Sequence, residues 1–426
     1  MIINQIAASS GSGGWQVGDL LTSYANKDEK WLECNGYIFD RTGGTTELSA
    51  VLDPTVLLNR VSQCVSTTIK VGAGVIYSNT IYFIAANNIY NTYYGTPCII
   101  TSSDLGASYT ITNISTDVFY TPNMPAYIEV NSSRIVVTFC SYNSSLTSNP
   151  FQYKVGKTSS LSSNSWTWQT VYSQQYGNTS IYGFATNGSN TMCLVGPTGV
   201  YCTTNFSSWT LYQYGISGQT TYTQSWGINS CIYDSSLNNF YVLWKYYQAT
   251  DFYISICSAT GFSATNWQSN YMLLTRSYNT INPTMCGNNN GLALVALGSN
   301  STATPWGIWI DLSSKGTKTI GTPAYAYYGS SPSCGYYNGT WLISRGDTIY
   351  FSTASSYSAA DNFTILTFSS GSANANACYI YLIQSNVVVF GNLGYVSTDS
   401  SGVFKAYWKT PTISSTYGTT YIRAVA

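Results

Sequence analysis

The sequence predicts an all-β protein: a seven-bladed β-propeller over residues 62–412, preceded by a small α+β domain over residues 1–60. Three observations carry this expectation. Sustained 3.6-residue periodicity is nearly absent after residue 65, where short period-two runs alternate with Ser, Asn and Gly turns. Charged residues make up only 8% of the 426 and aromatic residues 15%, and a disordered chain of this polarity would lack the aromatics. Finally, a hairpin-like unit recurs seven times.

That unit is a strand, a polar turn and an apolar strand. It occurs as IYSNTIYFIAAN (76–87), IEVNSSRIVVTFCS (128–141), FATNGSNTMCLVG (184–196) and CIYDSSLNNFYVLWK (231–245). It continues as CGNNNGLALVALG (286–298), CGYYNGTWLISRGD (334–347) and CYIYLIQSNVVVFGN (378–392). The turn centres, Asn79, Ser132, Asn187, Leu237, Asn289, Asn338 and Ser385, are spaced by 47 to 55 residues. Four short strands in such a period are the pattern of propeller blades, whereas sandwich domains repeat at about one hundred residues. The outer strands of the third and fifth units (184–219 and 286–320) carry little alternation.

A second element follows most hairpins: TSSDLGASYT (101–110), YCTTNFSSWT (201–210), ICSATGFSATNW (256–267), FSTASSYSAADNFT (351–364) and VSTDSSGVFKAYW (396–408). Each has a Ser/Thr pair, a small-residue turn and then an aromatic, namely Tyr109, Trp209, Trp267, Phe363 and Trp408. These segments resemble the Asp-box turn of sialidase-like propellers, in which a carboxylate caps a turn between the two outer strands. Asp104 and Asp399 match the carboxylate; the other copies have lost it. A turn-capping role is expected for both, rather than a metal site.

Before residue 60 the chain changes character. Three of its four glutamates lie there (Glu29, Glu33, Glu47), and TTELSAVLDPTVLLNRV (45–61) is the best helical candidate, interrupted at Pro54. The segment VGDLLTSYANKDEKWLECNGYIFDRTGGTTELSAVL (17–52) resembles the phage tail-collar domain of tail fibre proteins. Gly18 and Asp19 match that family's start, and Trp31, Cys34, Asn35 and Gly36 its Trp-Leu-x-Cys-Asn-Gly turn. The family's Tyr-Pro before Glu-Leu is replaced here by Gly-Thr-Thr. Asn-Gly is independently a strong hairpin turn, with Trp31 as a packing anchor. The end of the chain, KTPTISSTYGTTYIRAVA (409–426), resembles the closing strand of the same domain, which would make the propeller an insertion. Its alternative is to complete the last blade by pairing near 67–70.

The candidate chemistry is sparse. No histidine occurs, which removes the commonest general acid/base and many metal sites. After residue 61 the only arginines are Arg134, Arg276, Arg345 and Arg423, and Glu129 is the only glutamate. Arg134 lies in the hairpin turn NSSR and is expected to face solvent. Asp251, Asp311, Asp347 and Asp361 sit in separate units with no paired motif for glycoside hydrolysis. The 11 cysteines form no CxxC pair and lie mostly in apolar runs, so buried reduced thiols are expected. The tyrosine pairs Tyr93-Tyr94, Tyr246-Tyr247 and Tyr327-Tyr328 stand beside turns, where they would cover blade edges or contact glycan or receptor.

The net charge is zero, with 16 basic and 16 acidic residues, which supplies no footprint for nucleic acid or an anionic membrane. The start lacks a basic segment followed by a long apolar one, so a secretory signal is not expected. Together the resemblances imply a virion protein, a tail fibre or related appendage, made in the host bacterial cytoplasm and oligomeric in the particle. Other virion proteins and a host-surface glycan or protein would be its partners. The reading expects no enzymatic activity, no catalytic or metal-binding residue, no cofactor and no membrane insertion. A virion-associated glycan-degrading enzyme of sialidase-like type is the alternative, and a cellular surface lectin a further one.

Overall fold

The computed structural model describes most of residues 70–174, 181–212, 231–263, 270–320 and 333–367, together with strands near the two ends of the chain. Regular structure among the described residues is strand, apart from one 3-10 turn at Leu161–Ser163. The fold is therefore nearly all β. The strands near the N-terminus are β1 (Leu20–Ser23), β2 (Trp31–Glu33), β3 (Ile38–Phe39) and β4 (Pro54–Val56). The helical expectation for 45–61 needs correction at its end, where β4 is a strand. Pro54 has a fixed φ and no N–H, which suits the first position of an edge strand better than a helix interior.

Six four-stranded antiparallel meanders follow. The first holds β5 (Lys70–Tyr77), β6 (Thr80–Tyr90), β7 (Tyr94–Ser102) and β8 (Thr110–Asn113). After the connecting strand β9 (Val118–Tyr120) come β10 (Ala126–Asn131), β11 (Arg134–Tyr142), β12 (Phe151–Thr158) and β13 (Thr167–Gln174). The third meander is β14 (Gly183–Thr186), β15 (Met192–Gly196), β16 (Gly199–Thr203) and β17 (Thr210–Tyr212). The fourth is β18 (Cys231–Asp234), β19 (Asn239–Lys245), β20 (Phe252–Ser258) and β21 (Asn270–Leu274). The fifth is β22 (Thr280–Gly287), β23 (Leu292–Ser299), β24 (Gly307–Asp311) and β25 (Thr317–Ile320). The sixth is β26 (Ser333–Tyr337), β27 (Thr340–Arg345), β28 (Thr348–Ser352) and β29 (Thr364–Thr367). A three-stranded sheet, β30 (Cys378–Ile383), β31 (Asn386–Gly391) and β32 (Val403–Phe404), comes next. Each of the seven turn centres read from the sequence falls between the first two strands of one of these sheets.

Why the second strand of each meander reads as a continuous apolar run is visible in the packing. β19 sends Phe240, Val242 and Trp244 into one core with Cys193, Val195 and Val200 of the third sheet. Its alternate residues Tyr241 and Leu243 enter a different core with Ala293, Val295 and Ile308 of the fifth. A further core joins Leu294 and Trp309 to Trp341 and Ile343 of the sixth sheet, and another joins the first three sheets. The third, fourth and fifth sheets are thus each sandwiched between their sequence neighbours, so period two is kept while both faces stay apolar.

The turn between the third and fourth strands is capped in a repeated way. Thr158, Thr203, Ser258 and Ser352 each accept, on the side-chain oxygen, the N–H two residues on. In the fifth sheet Asp311 Oδ1 takes that role, accepting the Ser313 N–H at 2.9 Å. Asn205 does the work expected of an Asp-box carboxylate: its Oδ1 accepts the N–H groups of Ser207 and Ser208, both at 3.0 Å. Asp104 and Asp399 lie outside the described residues.

The last two strands are β33 (Ala406–Lys409) and β34 (Thr419–Arg423). β33 lies between β3 and β4, placing Trp408 opposite Phe39 and Pro54. β34 lies between β1 and β2, pairing Ile422 with Leu20 and Arg423 with Trp31. Trp31, Cys34, Tyr421 and Ile422 are buried. Contacts divide the chain into two compact units: residues 1–58 with 382–388 and 405–426, and residues 59–381 with 389–404.

Candidate functional site

In the larger unit, the first strands of the six meanders border one cavity of about 570 Å³. β5 contributes Gly74, β10 Glu129, β14 Thr186, β18 Tyr233, β22 Thr284 and β26 Tyr336, with the hairpin turns around Asn187, Ser235 and Asn289 at one end. First strands line this space because they are the inner edges of their sheets. Glu129 is the one charged side chain among the described lining residues.

Its carboxylate is fully engaged. Arg134 Nη2 donates to Glu129 Oε1 at 3.2 Å, Asn131 Nδ2 donates to the same oxygen at 3.2 Å, and the Thr186 hydroxyl donates to Oε2. Arg134 also donates to Thr186 Oγ1 at 2.9 Å and to the Ser189 carbonyl. The expectation that Arg134 faces solvent is therefore corrected: it is only 8% exposed. The Asn131 side chain makes the physical difference. Its Oδ1 accepts the Ser133 and Arg134 N–H groups and tightens the turn, so the guanidinium folds back toward the third sheet.

The opposite end of the first two sheets carries an aromatic shelf. β9 ties them together, pairing Phe119 with Gly95 of β7 and with Ser141 of β11. This brings Tyr94 within 5.8 Å of Tyr120, 5.1 Å of Tyr142 and 5.7 Å of Tyr90, ring centre to ring centre. Phe151 closes the group, 4.8 Å from Tyr120 and 5.2 Å from Tyr142. Tyr90 and Tyr93 stand at the solvent edge, 50% and 43% exposed. Burial raises the phenol pKa of Tyr94, with the neighbouring Tyr142 and Tyr90 adding to it. Burial does the same at Tyr120, helped by Tyr94. Both stay neutral at ordinary pH.

Of the tyrosine pairs read from the sequence, only Tyr93-Tyr94 is described. The pairs at Tyr246-Tyr247 and Tyr327-Tyr328 lie outside the described residues, as do Gly18, Asp19, Asn35 and Gly36 of the collar-like motif. Sequence reasoning missed Tyr90, Tyr120, Tyr142 and Phe151, which come from four strands. Their one sequence signal is an aromatic at a strand end beside polar turn residues.

Neither a protein-family model nor a curated protein sequence matches this chain. Solved structures do. The GH93 alpha-L-arabinofuranosidase of Fusarium graminearum matches at 10% identity and a TM-score of 0.44, covering 84% of this chain and 97% of that one. Trypanosoma rangeli sialidase bound to the inhibitor DANA matches at 9% identity and a TM-score of 0.46, covering 83% of this chain and 57% of that one. The phage phi92 endosialidase matches at 9% identity and a TM-score of 0.43, covering 86% and 70%. No residue role or substrate carries across at this level of likeness. The matches do overturn one expectation, that of a chain without enzymatic activity. The proteins concerned are glycosidases and sialidases.

Proposed function

We propose that the chain is a bacteriophage virion appendage protein, anchored by its smaller unit and displaying a seven-bladed propeller toward the host surface. The six meanders would be blades one to six, and the sheet β30–β32 the seventh. The observation that carries the reading is the pairing of β34 with both β1 and β2. The first and last of the described strands share one small sheet, around the buried Trp31 and Cys34 of the tail-collar-like motif. Such closure leaves the intervening chain as an insertion with its own cores, a natural arrangement for display. Scarce charge fits a surface working outside a cell, where contacts by stacking and neutral hydrogen bonds are insensitive to salt. The reading holds whether or not the displayed unit also cleaves the glycan it meets.

The test is immuno-electron microscopy of purified particles, with antibodies raised separately against the two units. Antibody to the larger unit should decorate an appendage on intact particles. Antibody to the smaller unit should bind only after particles are disrupted. Absence of the chain from purified particles would overturn the assignment.

A further inference from the structure

We propose that the aromatic shelf at the junction of the first two meanders is a binding site for an uncharged glycan. This rests on the display reading and deepens it by naming a ligand class and a place. Three independent features point there.

The first is geometric. Tyr90 and Tyr93 are exposed; Tyr90 packs on Tyr94, which with Tyr120, Tyr142 and Phe151 forms a continuous ring cluster at centre distances of 4.8 to 5.8 Å. Rings buttressed in this way lose little freedom when a sugar ring stacks on them.

The second is the rim. The loop between β11 and β12 joins Tyr142 to Phe151, and its residues 143–149 are all exposed. It is shaped by its own hydrogen bonds: Asn143 N–H donates to the Pro150 carbonyl at 2.8 Å, and Ser145 N–H donates to Asn143 Oδ1 at 3.0 Å. The loop therefore presents Ser, Thr and Asn groups beside the rings in a formed conformation, matched to sugar hydroxyls.

The third is charge. No Asp, Glu, Lys or Arg lies between residues 80 and 103, or between 143 and 153. The nearest charged residues along these strands are Asp117 and Lys154, and they face each other at 3.9 Å. Among the described residues of these strands, the cation nearest the rings along the chain, Lys154, already faces Asp117, so the ligand that fits best is neutral.

The experiment uses the full chain on an array of neutral oligosaccharides (glucose-, galactose- and mannose-based) beside polysialic acid and a uronic-acid polymer. Retention on neutral glycans is expected, unchanged between low and high salt. The double variant Tyr90→Ala/Tyr93→Ala should bind at least about tenfold more weakly with an unchanged melting curve, since both rings are exposed. Selective, salt-sensitive retention of the charged polymers, retention of no glycan, or undiminished binding by the variant would each overturn the proposal. Particle decoration by the antibodies is scored separately, so the shelf can fail while the display reading stands, and the reverse.

Discussion

Asp234 reaches out of its own sheet and accepts the backbone N–H of Gly291 in the next one, Oδ2 to nitrogen, at 2.8 Å. Its other oxygen accepts the Leu237 N–H at 3.0 Å and the Ser236 hydroxyl, closing the β18–β19 turn. Gly291 sits at φ +81°, a conformation in which a side chain would be strained, so its N–H is delivered by a backbone that glycine alone adopts easily. The side chain is 1% exposed and holds two hairpin turns at once.

Asp234→Ala should therefore destabilise the larger unit by about 1–3 kcal/mol, the range for leaving buried donors unpaired. Denaturant midpoints with an unchanged slope would check this. A loss below about 0.5 kcal/mol would mean that the inter-sheet bond contributes nothing.

Glu129 and Arg134 form the equivalent tether between the second and third sheets. In a double-mutant cycle with Glu129→Gln and Arg134→Met, the coupling energy should fall at about 0.5–3 kcal/mol. Additive single effects would show that the pair is incidental. Solvent access to Glu129, at 25%, argues for the lower half of that range.

Gly156 faces the Trp168 ring so closely that a Cβ would lie 2.3 Å from the indole. Gly156→Ala should cost about 1–3 kcal/mol through overpacking. At Gly261 an added Cβ meets nothing within 4 Å. Gly261→Ala should stay within about 0.5 kcal/mol of the parent, and thermal melts of the two variants side by side decide the comparison.

Acid should expose the turn cap of the fifth sheet. The Ser313 hydroxyl, with the Ser314 and Ser313 N–H groups, holds the Asp311 carboxyl below its usual range against a smaller opposing effect of burial. A depressed folded value means that the contribution is fully present above about pH 4 and is lost as pH falls through the folded value. Asp311→Asn should lower the denaturant midpoint at pH 6, and the gap to the parent should close on acidification. A gap independent of pH would contradict the capping role.

Among the described cysteines, Cys334 alone is not buried. A thiol reagent applied to the native protein should lose one fast-reacting equivalent in Cys334→Ser. Cys193 and Cys202, cross-strand neighbours whose sulfurs lie 3.5 Å apart, should react only on unfolding. An unchanged fast phase in Cys334→Ser would contradict this placement.

The recurring hairpins are legible in the chain itself, though β4 and the bridging strand β9 are not. Hairpins recur with period-two alternation, and local turn chemistry at residues such as Leu237 and Asn289 decides where one strand stops and the next begins. The sequence by itself also determined that cysteines such as Cys98, Cys140 and Cys193 sit in apolar surroundings, because flanking residues already report burial. Tertiary structure alone decided the rest. That β34 closes a sheet with β1 and β2 joins segments almost four hundred residues apart: the resemblance of 409–426 to a closing strand offered this pairing beside completion of the last blade, and no local pattern chooses between the two. Arg134 reads as a solvent-facing turn residue until Glu129 and Thr186 supply partners that draw it inward. The shelf of Tyr90, Tyr94, Tyr120, Tyr142 and Phe151 exists only because β9 bridges two sheets. Ring-to-ring proximity is a property of that bridge, and no spacing along the chain encodes it.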